Sequence, residues 1–269
     1  MAVVKFYYPG KKFPSLSVTG DRCSRMCKHC EGHFLNSMID VSTPEKLNNI
    51  GKKLSSKGAN GFLLSGGFDK EGKVPLDGYY DVLEKIKRNT DLLINVHTGL
   101  LNENMAAGLK KAKVDMISYD MIGSQETIKE VYNLDASPSD FERGYRLIEQ
   151  AGLIAVPHIT LGLHGGKLKG EYRALDAVKD SEKIIINSLI PTFWGDPVQK
   201  QDILDFIETA IEITDSELVI GCMRERGRYD LETEAIKKGI QGIVLPTKKT
   251  REWVKERYEV IEKNVCCSF

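Results

Sequence analysis

The sequence carries no excess of either charge: 38 lysines and arginines balance 38 aspartates and glutamates. No global field therefore favours nucleic acid or an anionic membrane surface, and any partner must be recognised locally. There is also no apolar run of the roughly 18 residues that a membrane-spanning helix requires. The opening stretch MAVVKFYYPGKKFPS lacks the basic segment and long apolar core of a secretory leader, so the expectation is a cytoplasmic protein. Low-complexity tracts and an interdomain linker are missing too, and residues 1–269 read as a single domain. Six cysteines are present, but three of them fall within positions 23–30 of a large chain, which argues for metal ligation over a disulfide framework.

What the sequence has is alternation. Short aliphatic or β-branched runs at 15–19, 61–65, 92–97, 114–120, 154–163, 184–190, 217–222 and 240–246 are separated by polar, amphipathic stretches. Helices are expected over 43–57, 78–89, 102–111, 139–151, 198–213, 231–238 and 250–264, with Ser42 or Thr43 as the first cap and Pro44 just inside it. Eight such units in one chain suit an α/β fold, a closed (β/α)8 TIM-type barrel; a partial (β/α)6 barrel with a C-terminal extension is the alternative. Either places the active site just beyond the C-terminal ends of the strands.

At the first of those ends lies Cys23-Ser24-Arg25-Met26-Cys27-Lys28-His29-Cys30. Three thiolates so spaced hold three corners of a [4Fe–4S] cluster and leave one iron open for the amino and carboxylate groups of a small molecule. Zinc held by some of Cys23, Cys27, Cys30, His29 and His33 is the competing reading.

The CxxxCxxC spacing resembles the signature of the radical S-adenosylmethionine superfamily, which follows the first strand of a full or partial βα barrel. The resemblance implies that Cys23, Cys27 and Cys30 hold the cluster that binds S-adenosylmethionine and that His29 lies against the adenine. Ser65, Gly66 and Gly67 resemble the superfamily's glycine-rich segment, whose backbone carbonyls meet the methionine amino group; Phe68 stands where many relatives have glutamate. The run from Pro157 through Gly166, with His158 and Gly162, is similar to the segment that packs beside the adenine. At the other strand ends Asn95, His97, Thr98, Asp120 and His164 are either cofactor or substrate contacts or polar caps on buried strands.

Three cysteines remain. The C-terminal helix and tail, 250–269, closing over the barrel mouth would carry Cys266 and Cys267 to Cys222 and build a second Fe–S cluster with an unassigned fourth ligand. The alternative is a buried apolar Cys222 and an exposed, redox-prone Cys266–Cys267 pair. Arg224 and Arg226 are candidates to ligate that cluster, to bind a carboxylate or to form ion pairs, and with Lys167 and Lys169 they are candidates for a docking surface.

The segments SVTGDRCSRMCKHCEG, GFLLSGG, NVHTGL, PHITLGLHGGKLKGE, IPTFWG, GCMRERG and GIVLPT together resemble a biotin-synthase-like group. That group is similar to one of two radical proteins that jointly replace single-chain lipoyl synthase in many archaea and some bacteria. The resemblance implies a sulfurtransferase acting on an octanoyl-lysyl carrier protein or peptide. A 5′-deoxyadenosyl radical would abstract hydrogen, and a second [4Fe–4S] cluster at Cys222, Cys266 and Cys267 would donate sulfur. Expected partners are the carrier, a companion radical protein and a low-potential electron donor. Two other readings stay open: a single-cluster radical rearrangement or methylation enzyme, and a non-catalytic zinc or electron-transfer Fe–S protein.

Overall fold

The computed structural model describes residues 2–191 and 194–269. In chain order the strands and helices are β1 (Val3–Tyr7), β2 (Ser15–Ser17), β3 (Ile39–Asp40), α1 (Pro44–Ser56), β4 (Gly61–Ser65), α2 (Tyr80–Asn89), β5 (Leu93–His97), α3 (Glu103–Lys111), β6 (Met116–Asp120), α4 (Gln125–Glu130), α5 (Pro138–Gln150) and β7 (Ala155–Leu161). They continue as α6 (Glu171–Ala177), β8 (Lys183–Ser188), α7 (Lys200–Ile213), β9 (Glu217–Ile220), α8 (Tyr229–Lys238), β10 (Gly242–Val244), α9 (Lys248–Lys255) and β11 (Glu259–Lys263). Local chemistry explains the first helix well: Thr43 Oγ1 accepts from the Lys46 amide at 3.3 Å, and Pro44, which has no amide hydrogen to lose, occupies the first turn.

All described strand pairings are parallel, in the order β11-β1-β10-β9-β8-β7-β6-β5-β4-β2-β3. The eight expected strands are β2 and β4 to β10, and they neighbour one another in chain order. The expected (β/α)8 ring is corrected at its seam. β1 takes the place beside β10 that β2 would need, and β11 adds outside β1, so the sheet curls into a partial barrel instead of closing.

Alternation across β8 shows how the sheet is filled. Ile184 and Ile186 point out into the core beneath the helices, while Ile185 points in toward Val156, Val219, Val244 and Tyr7. Three consecutive isoleucines are thus what a strand buried on both faces requires.

The helix expected over 250–264 is also corrected: it is α9 followed by β11. Beyond β11 the tail does not cover the mouth but turns into the barrel. Cys267 joins the inward-facing group around Tyr7, Ile185 and Val219, and Ser268 Oγ lies 3.0 Å from Ser118 Oγ. The tail is pinned from several sides: Asn60 Nδ2 donates to the Asn264 carbonyl at 2.9 Å, Lys183 Nζ to that of Cys267 at 3.3 Å and Lys263 Nζ to that of Phe269 at 2.8 Å.

Candidate functional site

The cysteine loop leaves the end of β2 and is held by backbone bonds rather than by regular structure. The Ser24 amide donates to the Phe68 carbonyl at 2.8 Å, and the Lys28 amide to that of Val131 at 3.0 Å. Its tight winding puts Met26 and Glu31 at φ of 45°. The glycine segment after β4 packs against it backbone to backbone: a Cβ on Gly67 would lie 2.0 Å from the Arg22 carbonyl oxygen and 2.6 Å from Cys23 Cα. A side chain there cannot coexist with the loop, which is the physical reason for glycine at this position. The Gly67 amide donates to Thr19 Oγ1 at 2.7 Å and completes the junction.

Cys23, Cys27 and Cys30 all face one cavity of about 380 Å³, together with Ser65, Gly66, Gly67, His29, His97, Asp120 and Cys222. Burial, and then the charges of Cys30 and Cys23, push the Cys27 thiol up to about 12, and burial also raises Cys30. Three crowded thiols that oppose one another's ionisation are a donor set that a cationic centre would hold deprotonated, so the residues present fit an iron–sulfur cluster.

Lining the same cavity, His97 at the end of β5 and Asp120 at the end of β6 form an ion pair, Nε2 to Oδ2, at 2.9 Å, and Ser65 Oγ lies 3.1 Å from His97 Nδ1. Burial drives the His97 pKa down, but the charge and hydrogen bond of Asp120 outweigh it and the net shift is upward. Burial likewise works to raise Asp120, and His97, then His158 and His29, reverse it to a net lowering. His29, stripped of water, falls to about 4; its Nδ1 is buried with no hydrogen-bond partner among the described residues, and its ring lies 4.9 Å from that of Tyr132.

The His97–Asp120 pair has a definite pH signature. A raised histidine pKa gives stability that is full below the unfolded value of about 6.5 and is lost as pH rises through the folded value. A lowered aspartate pKa gives stability that is full above about 3.9 and is lost as pH falls through the folded value. The pair therefore contributes most between about pH 4 and about pH 6.5. In Asp120→Asn the His97 pKa is expected to fall below that of free imidazole, and this acid-side stabilisation to vanish. Imidazole NMR titration together with urea midpoints across pH checks both; an unmoved His97 pKa would contradict the assignment.

Of the remaining thiols, Cys222 lines the same cavity, and Cys266 and Cys267 lie near it without lining it. Cys222 follows β9 and Gly221, and its exposed surface opens onto the cavity. Cys266 accepts a hydrogen bond from Asn95 Nδ2 at 3.4 Å; the Cys267 thiol, against the effect of burial and helped by Ser268 and Asn95, lowers its pKa. Cys267 is raised by that same bond and by burial. Burial, and then the charge of Cys266, raises Cys222, so the three sulfurs are close enough to act on one another.

Other expected residues lie elsewhere. Asn95 sits a layer deeper, bonded to Ser118 Oγ at 2.8 Å and to Ser268 Oγ at 3.3 Å. His158 Nδ1 is 2.9 Å from the Val156 carbonyl oxygen, and Thr98 Oγ1 donates to that of Gly99. The Gly162 amide donates to Glu171 Oε1 at 2.9 Å, and His164 lies beside Thr127, Glu126 and Glu130. Lys169 pairs with Glu126. Arg224, a docking candidate by sequence, is buried against Glu232 at 2.7 Å, and Arg226 donates to the Cys222 carbonyl at 2.8 Å, so both brace the Cys222 loop. Of the segment IPTFWG, Thr192 and Phe193 lie outside the described residues; Trp194 Nε1 donates to the Leu163 carbonyl at 3.1 Å. Tyr132, Phe34, Leu35, Met38 and Met223 also line the cavity and were not singled out by any motif, because their residue types are common in any core.

Comparison with known proteins bears on both fold and family. The solved structure of HydG, a maturase of the [FeFe]-hydrogenase, superposes with a TM-score of 0.63 at 16% identity, over 90% of this chain and 56% of that one. Methylornithine synthase, PylB, gives 0.62 at 14% over 91% and 73%, and the HMG-CoA lyase of Brucella melitensis 0.58 at 12% over 95% and 91%. The chain thus spans a little over half the length of HydG, and at these identities the likeness is one of fold. No curated protein matches the chain in sequence. Among the described residues no helix is long and apolar enough to cross a membrane. The family model of the Radical SAM superfamily matches residues 17–169, from the end of β2 through the loop after β7. That is more than half of the sequence, and the chain belongs to the Radical SAM superfamily, whose members use a [4Fe–4S] cluster and S-adenosylmethionine.

Proposed function

We propose that this radical S-adenosylmethionine enzyme inserts sulfur into an octanoyl chain carried on a lysine, as one component of a two-protein lipoyl synthase. The observation that carries the reading is that Cys222 lines the same cavity as Cys23, Cys27 and Cys30, while Cys266 and Cys267, from a distant segment, lie close enough to Cys222 to shift its ionisation or be shifted by it. When bound, the first cluster and S-adenosylmethionine supply a hydrogen-atom abstractor strong enough for an unactivated carbon, and the second cluster supplies sulfur. The chain's own residues bind, orient and exclude water. Cys23, Cys27 and Cys30 would hold one cluster, and the backbone of Ser65 to Gly67, which lines the same cavity, would meet the methionine end of the cofactor. Phe34, Leu35, Met38, Leu63 and Met223 give the cavity an apolar lining suited to an alkyl chain. His97 and Asp120 keep a charged pair in the same cavity.

A lipoyl-carrier protein, a companion radical protein and a low-potential electron donor, all in the cytoplasm, complete the proposal. The test is anaerobic incubation of the reconstituted enzyme with an octanoyl-lysyl peptide, a reductant and the companion protein, with product mass read out. Thiolated peptide is expected from the parent, and none from Cys222→Ala or Cys266→Ala, while both variants still cleave the cofactor. Thiolation by either variant would overturn the reading.

A further inference from the structure

Three thiolates leave one iron of a four-iron cluster without a protein ligand, and the two arginines beside Cys222 are not free to supply it. Arg224 is spent on the carbonyls of Gly221 and Val244, at 2.7 and 2.8 Å, and on Glu232; Arg226 is spent on the carbonyls of Cys222 and Val244. Ser268 is engaged by Asn95 and Ser118.

One buried polar group on this wall has no such partner. Asn187, in β8, is 6% exposed, and its Oδ1 accepts no hydrogen bond among the described residues. An orphaned buried acceptor costs about 1–3 kcal/mol and is retained where something absent from the protein satisfies it.

Its position is fixed by the strand. Ile185, two residues earlier and therefore on the same face, packs with Cys267. Asn187 lies one step nearer the mouth, and its Oδ1 would be 2.1 Å from a Cβ on Gly221, the residue before Cys222. Glycine at 221 is what lets the amide sit there. The Ser188 amide, next along β8, donates to the Met223 carbonyl at 2.9 Å, which holds the Cys222 loop against the same strand. Asn187 thus sits against the residue that precedes Cys222, on the face of β8 whose Ile185 belongs to the same buried group as Cys267.

We infer that Asn187, through Oδ1, is the fourth ligand of the second cluster. The inference rests on the second-cluster reading above. A neutral oxygen among three thiolates makes that iron the most weakly held of the four.

The test uses the Cys23/Cys27/Cys30→Ala protein, in which the second cluster is observed alone. Iron and sulfide are counted after anaerobic reconstitution, with Mössbauer and EPR spectra. Adding Asn187→Ala is expected to lower the count from about four irons to about three, with the EPR signal of an oxidised three-iron cluster, or to lose the cluster. Asn187→Asp, which keeps an oxygen donor, is expected to retain all four. Unchanged iron and spectra in Asn187→Ala overturn the ligand assignment, as does equal loss in Asn187→Ala and Asn187→Asp. Absence of iron from the Cys23/Cys27/Cys30→Ala protein overturns the second-cluster reading itself, and the ligand with it.

Discussion

Replacing Cys23, Cys27 and Cys30 together by alanine is expected to halve the iron of the anaerobically reconstituted protein, from about eight atoms per chain to about four, and to reduce cofactor cleavage to background. The three positions sit in a loop whose fixed points lie outside the thiols: the Ser24 and Lys28 amides reach the Phe68 and Val131 carbonyls, and Arg25 Nη1 donates to the Lys70 carbonyl at 2.8 Å. Removing three sulfurs touches none of those bonds. It also removes the thiol that burial, and then the charges of Cys30 and Cys23, push up to about 12. The fold is therefore expected to survive, with a thermal midpoint close to that of the metal-free parent, and the loss to be confined to one cluster. Mössbauer spectra should show the component that responds to S-adenosylmethionine disappear and the other remain. A fall from about four irons to none would leave a single radical-generating cluster, and sulfur insertion would give way to rearrangement or methylation.

How much of this was legible in the sequence depended on how local each signal is. The spacing of Cys23, Cys27 and Cys30 survives any fold that puts a loop after a strand, and the α1 cap is written in Thr43-Pro44. The seam of the barrel was not legible. VVKFY in β1 is a short run closed by the turn signal Pro9-Gly10, but nothing local says that it pairs between β10 and β11. EVIEK in β11 continues a charged, amphipathic stretch that fits a helical period as well as a strand, and only pairing with β1 decides it. The path of the tail follows from that seam. An unclosed sheet leaves room for residues 264–269 to enter the barrel, and Lys183, Lys263 and Asn60, distant in sequence, provide the bonds that hold them there. Asn187 escaped notice for the same reason: an asparagine ending a run of isoleucines reads as a strand terminus until Gly221 is placed beside it.

The largest stability effect is expected at Glu232. Arg224 and Glu232 are 4% and 2% exposed, and their 2.7 Å contact joins the Cys222 loop to α8. Their other atoms are also satisfied: Arg224 donates to the Gly221 and Val244 carbonyls, and Glu232 Oε2 accepts from the Thr247 amide at 2.9 Å and from Thr250 Oγ1. Four elements, β9, β10, α8 and α9, therefore meet at one buried pair. Glu232→Ala leaves a guanidinium charge buried without a counter-ion and is expected to cost about 3–5 kcal/mol of unfolding free energy, measured from urea midpoints at unchanged slope. Replacing both partners, Arg224→Met with Glu232→Leu, should cost less than the single change, because no charge is then stranded. The two variants differ in what they do to the site. The double variant regains core packing, but it still lacks the arginine bonds to Gly221 and Val244 that orient Cys222. Iron of the second cluster should therefore stay depleted in it while the Cys23–Cys27–Cys30 cluster is full. Equal depletion of both clusters would instead assign the pair a role in global stability alone.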